Sequence, residues 1–323
     1  MITGALGERV LFESRRATGV AFRENGVPRT VRAVREVILC GGAVNSPQLL
    51  LLSGVGPQEQ LAQFGIPVVH HLPGVGQALQ DHYSAPIKLK CSQPITVNDV
   101  MQSNFRKLKV GLQYYLRRSG PLTMAAGPAA LFVRTREGLA TPDVKISVAP
   151  FSSDRLQDGL HPWSGFALTI YQLRPESRGE IRLKSANPAD PPAMIPNYLA
   201  TETDRRAIVD GLKIGRDVLG TPAMRQYITE EYQPGPSVRT DEQLLEHARN
   251  TGGTVFHPTS TCKMGIDPMA VVDPELRVYG IGALRVVDAS VMPTVISGNT
   301  NAATIMIGEK AADLVRQPAR MAA

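Results

Sequence analysis

The stretch FHPTSTCKMG (256–265), continued by VVDPELRVYGIGALRVVDASVMPTVISGNTNAATIMIGEKAADLVR (271–316), organises the rest of the chain. His257 opens it beside Pro258 and a Ser/Thr-rich turn. Leu284 to Val287 reads as an apolar strand ending on Asp288. A Pro/Gly/Ser-rich loop then leads through Asn299, Thr300 and Asn301 into a helix over 302–316, with Ile305, Ile307, Ala311 and Leu314 at helical spacing. Unpaired amides and the macrodipole make a helix start attractive to an anionic ligand edge. A candidate base, a candidate hydrogen-bond partner, a strand-end carboxylate and a helix dipole therefore share one segment. That set suits chemistry on a bound cofactor.

Working outward, 323 residues are enough for two domains with sizeable cores. A hydrophobic content of 43% with 20% charged residues is that of a soluble globular protein. The formal net charge is +6, yet the basic residues are scattered, as at Arg15–Arg16, Arg117–Arg118 and Arg205–Arg206. No basic run interleaves with aromatics, which argues against a nucleic-acid partner. Cys40, Cys91 and Cys262 are odd in number and lack metal-ligand spacing, so the natural reading is a reducing, cytoplasmic setting, with peripheral contact to a membrane left open. Apolar runs such as 49–52 fall far short of a transmembrane segment, and no targeting signal is visible. His70, His71 and His82 have no supporting carboxylate or thiolate spacing, so no metal is expected. Ser260, His257 and Asp288 lack the G-x-S-x-G turn of a hydrolase nucleophile.

Residues 9–41 read as strands joined by turns, with Glu24-Asn25-Gly26 a hairpin signal. Residues 36–40 are apolar enough for a strand of a parallel sheet buried on both faces, shared with 284–287. Ser46 as N-cap and Pro47 at the first position predict a short helix closed by Gly54 and Gly56, and Pro57 starts another that ends at Gly65. Met101 to Arg118 reads as a helix with Leu108, Leu112, Tyr115 and Leu116 turned inward. Strands are expected at 144–148, 166–171 and 180–183, and a helix over 202–219 with Ile208, Val209, Leu212 and Val218 on one face. Thr240 to Gln243 is a capping box opening another helix, and the tail 317–323 is expected to fray.

GAVNSPQLLLLSGVG (42–56), LPGVGQALQDH (72–82), RPESRG (174–179) and PAMIPNY (192–198), together with the opening stretch, resemble the glucose–methanol–choline (GMC) oxidoreductases in the family's own order. CKMG (262–265), VDAS (287–290) and IMIGEKAAD (305–313) are most similar to the choline-dehydrogenase branch. The resemblance implies an α/β plus α+β fold. The remainder of a Rossmann-like FAD-binding domain (1–84 and 256–323) would be combined with an antiparallel-sheet substrate-binding domain (85–255). It implies FAD as cofactor and oxidation of the CH–OH group of a small alcohol by hydride transfer to flavin. His257 matches the general base, and Asn301 its partner across the substrate oxygen, although Asn301 also fits a plain helix N-cap. Gly42 and Ala43 match backbone-approach positions near the adenine end, Asp288 with Ala289 the sugar-alcohol chain, and Asn301 with Ala302 the helix start facing the flavin ring. The alcohol stays open, as does the electron acceptor: oxygen, a quinone or a carrier.

A dinucleotide site is ordinarily announced by G-x-G-x-x-G between a strand and a helix. This sequence has none; Gly74-Val75-Gly76 follows Leu72-Pro73 and reads as a turn. In the resembled family that fingerprint lies near the N-terminus, so the likeness covers the later part of the family's fold. The expected partners therefore include a missing N-terminal half or a second copy. The competing reading is an orphan substrate-domain fragment that binds a small molecule or a partner chain without catalysis. Lacking the phosphate-binding turn, the 323-residue chain purified alone is predicted not to retain FAD stoichiometrically. A flavin absorbance spectrum at about one cofactor per chain would refute this.

Overall fold

The structure, a computed structural model, describes residues 1–316 other than 126 and 155, so the expected fraying of 317–323 lies outside the described residues. Its contacts divide the chain into two units. One comprises Met1–Asp81, Pro175–Ala200 and the residues from Phe256 on; the other comprises His82–Arg174 and Thr201–Val255.

In the first unit, Asn25 and Gly26 both take positive φ (50° and 84°), as a two-residue hairpin turn between right-twisted strands requires. They join Arg16–Glu24 to Val27–Arg32, and Ala5–Glu13 completes an antiparallel three-stranded sheet. Val37–Leu39 pairs in parallel with Leu284–Val286, in the register Val37↔Leu284 and Leu39↔Val286. Val37 and Leu39 are buried while Ile38 is 39% exposed, so this strand is covered on one face and not on both. Beneath the pair, the Arg285 guanidinium meets the Glu36 carboxylate at 2.7 Å.

The next helix, Gly42–Leu52, starts five residues earlier than Ser46-Pro47 suggested. Its first amide, from Gly42, is received by the Asp288 carboxylate at 2.9 Å, and the Gly41 amide before it by the Ser46 hydroxyl at 2.9 Å. Pro47 thus lies inside the helix and has no N–H to give the Ala43 carbonyl. The Thr261 hydroxyl fills that place, donating to the Ala43 carbonyl at 2.7 Å. Leu50, Leu51, Leu61, Val75, Val271, Leu284 and Val286 form the core of this unit. Helix Asn301–Arg316 rests on that core through Ile307, Ala311 and Leu314, whereas Ile305 is 58% exposed.

Strand Glu180–Arg182 appears where expected but pairs with Ala193–Ile195 inside the first unit, so residues 175–200 leave the 85–255 segment assigned from sequence. Backbone bonds explain the transfer. Gly179 and Leu79 exchange two bonds of 2.9 Å, and the Ile181 amide donates to the Gly76 carbonyl at 2.7 Å.

The second unit is a six-stranded antiparallel sheet. Its path runs Ile228–Gln233, Tyr83–Cys91, Gly165–Gln172, Val144–Ala149 and Ala129–Val133, with Gly253–Thr254 beside Tyr83–Cys91. Helix Glu202–Leu219 buries Ala207, Ile208 and Leu212, and the small Gly211 lets it approach Ile170 and Val144 closely. The Thr240 capping box forms as expected. The segment read as one helix over 101–118 is two, Val97–Met101 and Asn104–Arg117, and its leucines point outward: Leu108 is 61% exposed and Leu116 72%. Periodicity marks an apolar face but not the direction in which it points.

Gly76 occupies φ +79°, and a Cβ there would collide with the Ile181 carbonyl. Gly76→Ala is therefore expected to destabilise the first unit by about 2–4 kcal/mol, from strain plus overpacking. A denaturant-unfolding midpoint equal to that of the parent chain would contradict this.

Candidate active site

Two adjacent residues, Gln80 and Asp81, tie together the segments that carry the candidate chemistry. Gln80 and Thr259 exchange backbone bonds of 3.2 and 2.8 Å. The Gln80 side chain donates through Nε2 to the Pro175 carbonyl at 2.7 Å and accepts at Oε1 from the Val295 amide at 3.0 Å. One short residue pair thereby reaches the 175–200 segment, the turn after His257 and the loop before the last helix. Both side chains are buried, so these bonds compete little with water.

Asp81 holds the histidine. Its Oδ1 accepts from the His257 backbone amide at 2.8 Å, and its Oδ2 accepts from the Tyr198 hydroxyl at 2.6 Å. Hydrogen bonds to a carboxylate are about twice as strong as neutral ones, so the backbone at His257 is firmly located. His257 itself is 8% exposed, while its neighbour Phe256 sits at φ +61° with 79% of its surface exposed. The peptide thus turns the histidine in and the phenylalanine out.

The Asn299 Nδ2 lies 3.2 Å from His257 Nε2. An amide N–H donating to Nε2 requires the tautomer with its proton on Nδ1, which leaves Nε2 as the basic nitrogen. Asn301, chosen from sequence for this pairing, opens helix Asn301–Arg316 and is exposed; Asn299, two residues earlier in the loop, occupies the position beside His257. The sequence reading also gave no role to Gln80, Asp81 or Tyr198. Two of the segments it singled out, 72–82 and 192–198, contain all three.

Asp288 forms the second pole of the unit. It caps the turn Ala289–Val291 by accepting at Oδ1 from the Ser290 amide at 2.8 Å, and its Oδ2 accepts from the Gly42 amide at 2.9 Å and the Ser46 hydroxyl at 2.5 Å. A carboxylate offers about four lone-pair sites, so capacity for one more donor remains. Gly42 spends its amide on Asp288, and Ala43 is buried with its carbonyl bonded to Thr261. Beside them, Leu39, Cys40, Gly41, Val44 and Asn45 line a largely apolar cavity of about 650 Å³. A Cβ placed on Gly42 would meet nothing within 4 Å. At the last helix, Asn301 and Ala302 are exposed at the N-terminus, where first-turn amides have no intrahelical acceptor.

Burial, and then the Asp288 carboxylate, raise the pKa of the Cys40 thiol, and the same causes in the same order push that of the fully buried Cys262 well up. Both stay as thiols and are poor nucleophiles near neutral pH. Among the described residues no group of three or more His, Cys, Asp or Glu side chains is arranged to hold a metal ion.

Models of the GMC oxidoreductase family match residues 1–84 and 175–308. The chain is 42% identical over 316 residues to oxygen-dependent choline dehydrogenase of Escherichia coli O17:K52:H18, covering 97% of this chain and 57% of that protein. The Cronobacter sakazakii enzyme of the same name is also 42% identical, over 98% of this chain and 57% of its own length. The chain thus spans 57% of the length of these curated relatives. Among solved structures, formate oxidase, known in Aspergillus oryzae RIB40 for modification of its FAD, is similar with a TM-score of 0.90 at 26% identity, over 97% of this chain and 60% of that one. A fungal aryl-alcohol oxidase matches with a TM-score of 0.82 at 26% identity, over 96% of this chain and 60% of that one.

The Asp81 clamp can be tested directly. Tyr198→Phe is expected to cost about 1.5–3 kcal/mol, the usual range for a hydrogen bond to a charged group. Asp81→Ala, which also frees the His257 amide, should cost more. Equal unfolding midpoints for the parent chain and both variants would show that the clamp contributes nothing.

Proposed function

The chain belongs to the GMC oxidoreductase family, and from that premise we propose that it oxidises the CH–OH group of a small alcohol with FAD as cofactor. The observation that supports this best is a buried histidine, clamped through its backbone by Asp81, whose Nε2 lies 3.2 Å from the Asn299 side-chain amide. In this reading His257 is the general base. A neutral imidazole nitrogen placed beside the substrate hydroxyl would take its proton. The Asn299 side chain would donate to the substrate oxygen and hold the charge that develops as the proton leaves. The low exposure of the histidine limits competition from water.

Bound FAD would supply the hydride acceptor. Asp288 with Ala289, and the helix start at Asn301 and Ala302, are the residues we assign to holding it. The spare lone pair on Asp288 suits a hydroxyl of the sugar-alcohol chain, and the uncovered helix start suits a negatively charged ring edge. The apolar cavity beside Gly41, next to the uncrowded Gly42 and the buried Ala43, suits the flat adenine end. By the same reading the first unit serves the cofactor and the second the substrate. Choline and oxygen, named in the curated relatives, are the first substrate and acceptor to assay. Three free cysteines accord with a reducing, cytoplasmic compartment. A non-catalytic binding fragment would give no reason for a clamped histidine with a basic nitrogen turned to an amide.

The test grafts residues 1–323 onto the N-terminal part of a choline dehydrogenase and follows alcohol oxidation with FAD in excess. His257→Ala is expected to lower kcat by about 10²–10⁴-fold. Asn299→Ala should lower it by about 10–100-fold, as loss of one developing-charge hydrogen bond does. Asn301→Ala should leave kcat within about threefold. Full activity in His257→Ala would remove the assignment, and a larger loss for Asn301→Ala than for Asn299→Ala would return the partner role to Asn301.

A further inference from the structure

A helix in a globular unit ordinarily buries its apolar stripe. Helix Asn104–Arg117 has no buried residue. Phe105, Leu108, Leu112, Tyr115 and Leu116 fall at i, i+3, i+7, i+10 and i+11, an arc of about 100° on one side of the helix. They are 76, 61, 49, 73 and 72% exposed. Flanking segments extend the exposed apolar surface, with Met101 52% and Leu122 59% exposed.

Charge identifies what such a face fits. Arg106, Lys107, Lys109, Arg117 and Arg118 lie between 103 and 120, a stretch with no aspartate or glutamate. Arg106 stands 4.0 Å from Asp99, and Arg118 lies over the Tyr114 ring; Lys107, Lys109 and Arg117 enter no ion pair among the described residues. A second copy placed on this face by two-fold symmetry would bring no opposite charge from the 103–120 stretch to answer these cations. An anionic lipid surface answers both the exposed arc and the uniform sign of the charge. No helix among the described residues is long and apolar enough to cross a membrane, so the fitting geometry is in-plane.

We propose that helix Asn104–Arg117 lies in the headgroup layer of an anionic membrane, with Phe105, Leu108, Leu112, Tyr115 and Leu116 sunk toward the acyl chains. The lysine and arginine stems run along the apolar boundary and keep their charges at phosphate level. Arg118, at φ +49°, ends the helical path directly after Arg117. This inference does not depend on the oxidoreductase reading.

The experiment is co-sedimentation of the 323-residue chain with phosphatidylcholine vesicles, with and without phosphatidylglycerol. Phosphatidylglycerol should raise the bound fraction by about tenfold, and high salt should reverse most of that gain. Leu108→Glu with Leu112→Glu should lower binding by at least about tenfold with an unchanged unfolding midpoint, since both side chains are exposed. Should that variant fail to fold, Lys107→Gln with Lys109→Gln should weaken binding to the anionic vesicles alone. The proposal is overturned by absent binding to anionic vesicles, by binding that neither variant reduces, or by a stripe-dependent dimer that does not sediment with lipid.

Discussion

The hydrogen bond from the His257 amide to the Asp81 carboxylate is the constraint on which the candidate site rests. It fixes the backbone at His257, while the ring's Nε2 lies 3.2 Å from the Asn299 side-chain amide. Because Asp81 also holds Tyr198, and Gln80 beside it holds Thr259, Pro175 and Val295, one dipeptide sets the positions of three distant segments. Asn299 then lies only four residues beyond an anchored Val295, which keeps its amide beside Nε2. A histidine held this way loses little conformational freedom when it meets a substrate.

Asp288 plays the corresponding part at the parallel strand pair. Its carboxylate bonds to the Gly42 amide, the Ser46 hydroxyl and the Ser290 amide. A negative group at a helix N-terminus is favourable in itself. Here it also ties residue 42 to residue 288, so the start of helix Gly42–Leu52 and the end of strand Leu284–Val286 share one anchor. Proline at position 47 is tolerated in that helix because Thr261, from the segment after His257, supplies the missing donor.

Elements whose cause is local were legible in the sequence. The Asn25-Gly26 turn, the Thr240 capping box and helix Glu202–Leu219 follow from nearby residues, and 37–39 and 284–286 were legible as strands of one parallel sheet. What escaped depends on remote partners. Ser46-Pro47 has the form of a helix start, but the first helical amide, at Gly42, is received by a carboxylate 246 residues away. Leu108 and Leu112 have core spacing, yet spacing carries no information about which side faces water. N-T-N at 299–301 offers two amides, and only the onset of the helix decides which one stays in the loop with His257. Resemblance singled out His257, whereas Asp81 is a common surface residue type until its partner is seen.

The interrupted composition of the first unit has a consequence for how it is made. Its parts come from three stretches of chain, and the Asp81–His257 bond joins residues 176 positions apart. At about 5–20 residues per second on the ribosome, Asp81 waits roughly 10–35 s for its partner to be synthesised. During that interval the first 81 residues carry the ladder of their own three-stranded sheet, while Val37–Leu39 has no Leu284–Val286 to pair with. The intervening second unit is built mainly of antiparallel neighbours and is fully translated before Phe256 emerges. The order of synthesis therefore makes the histidine's surroundings the last part of the molecule to close.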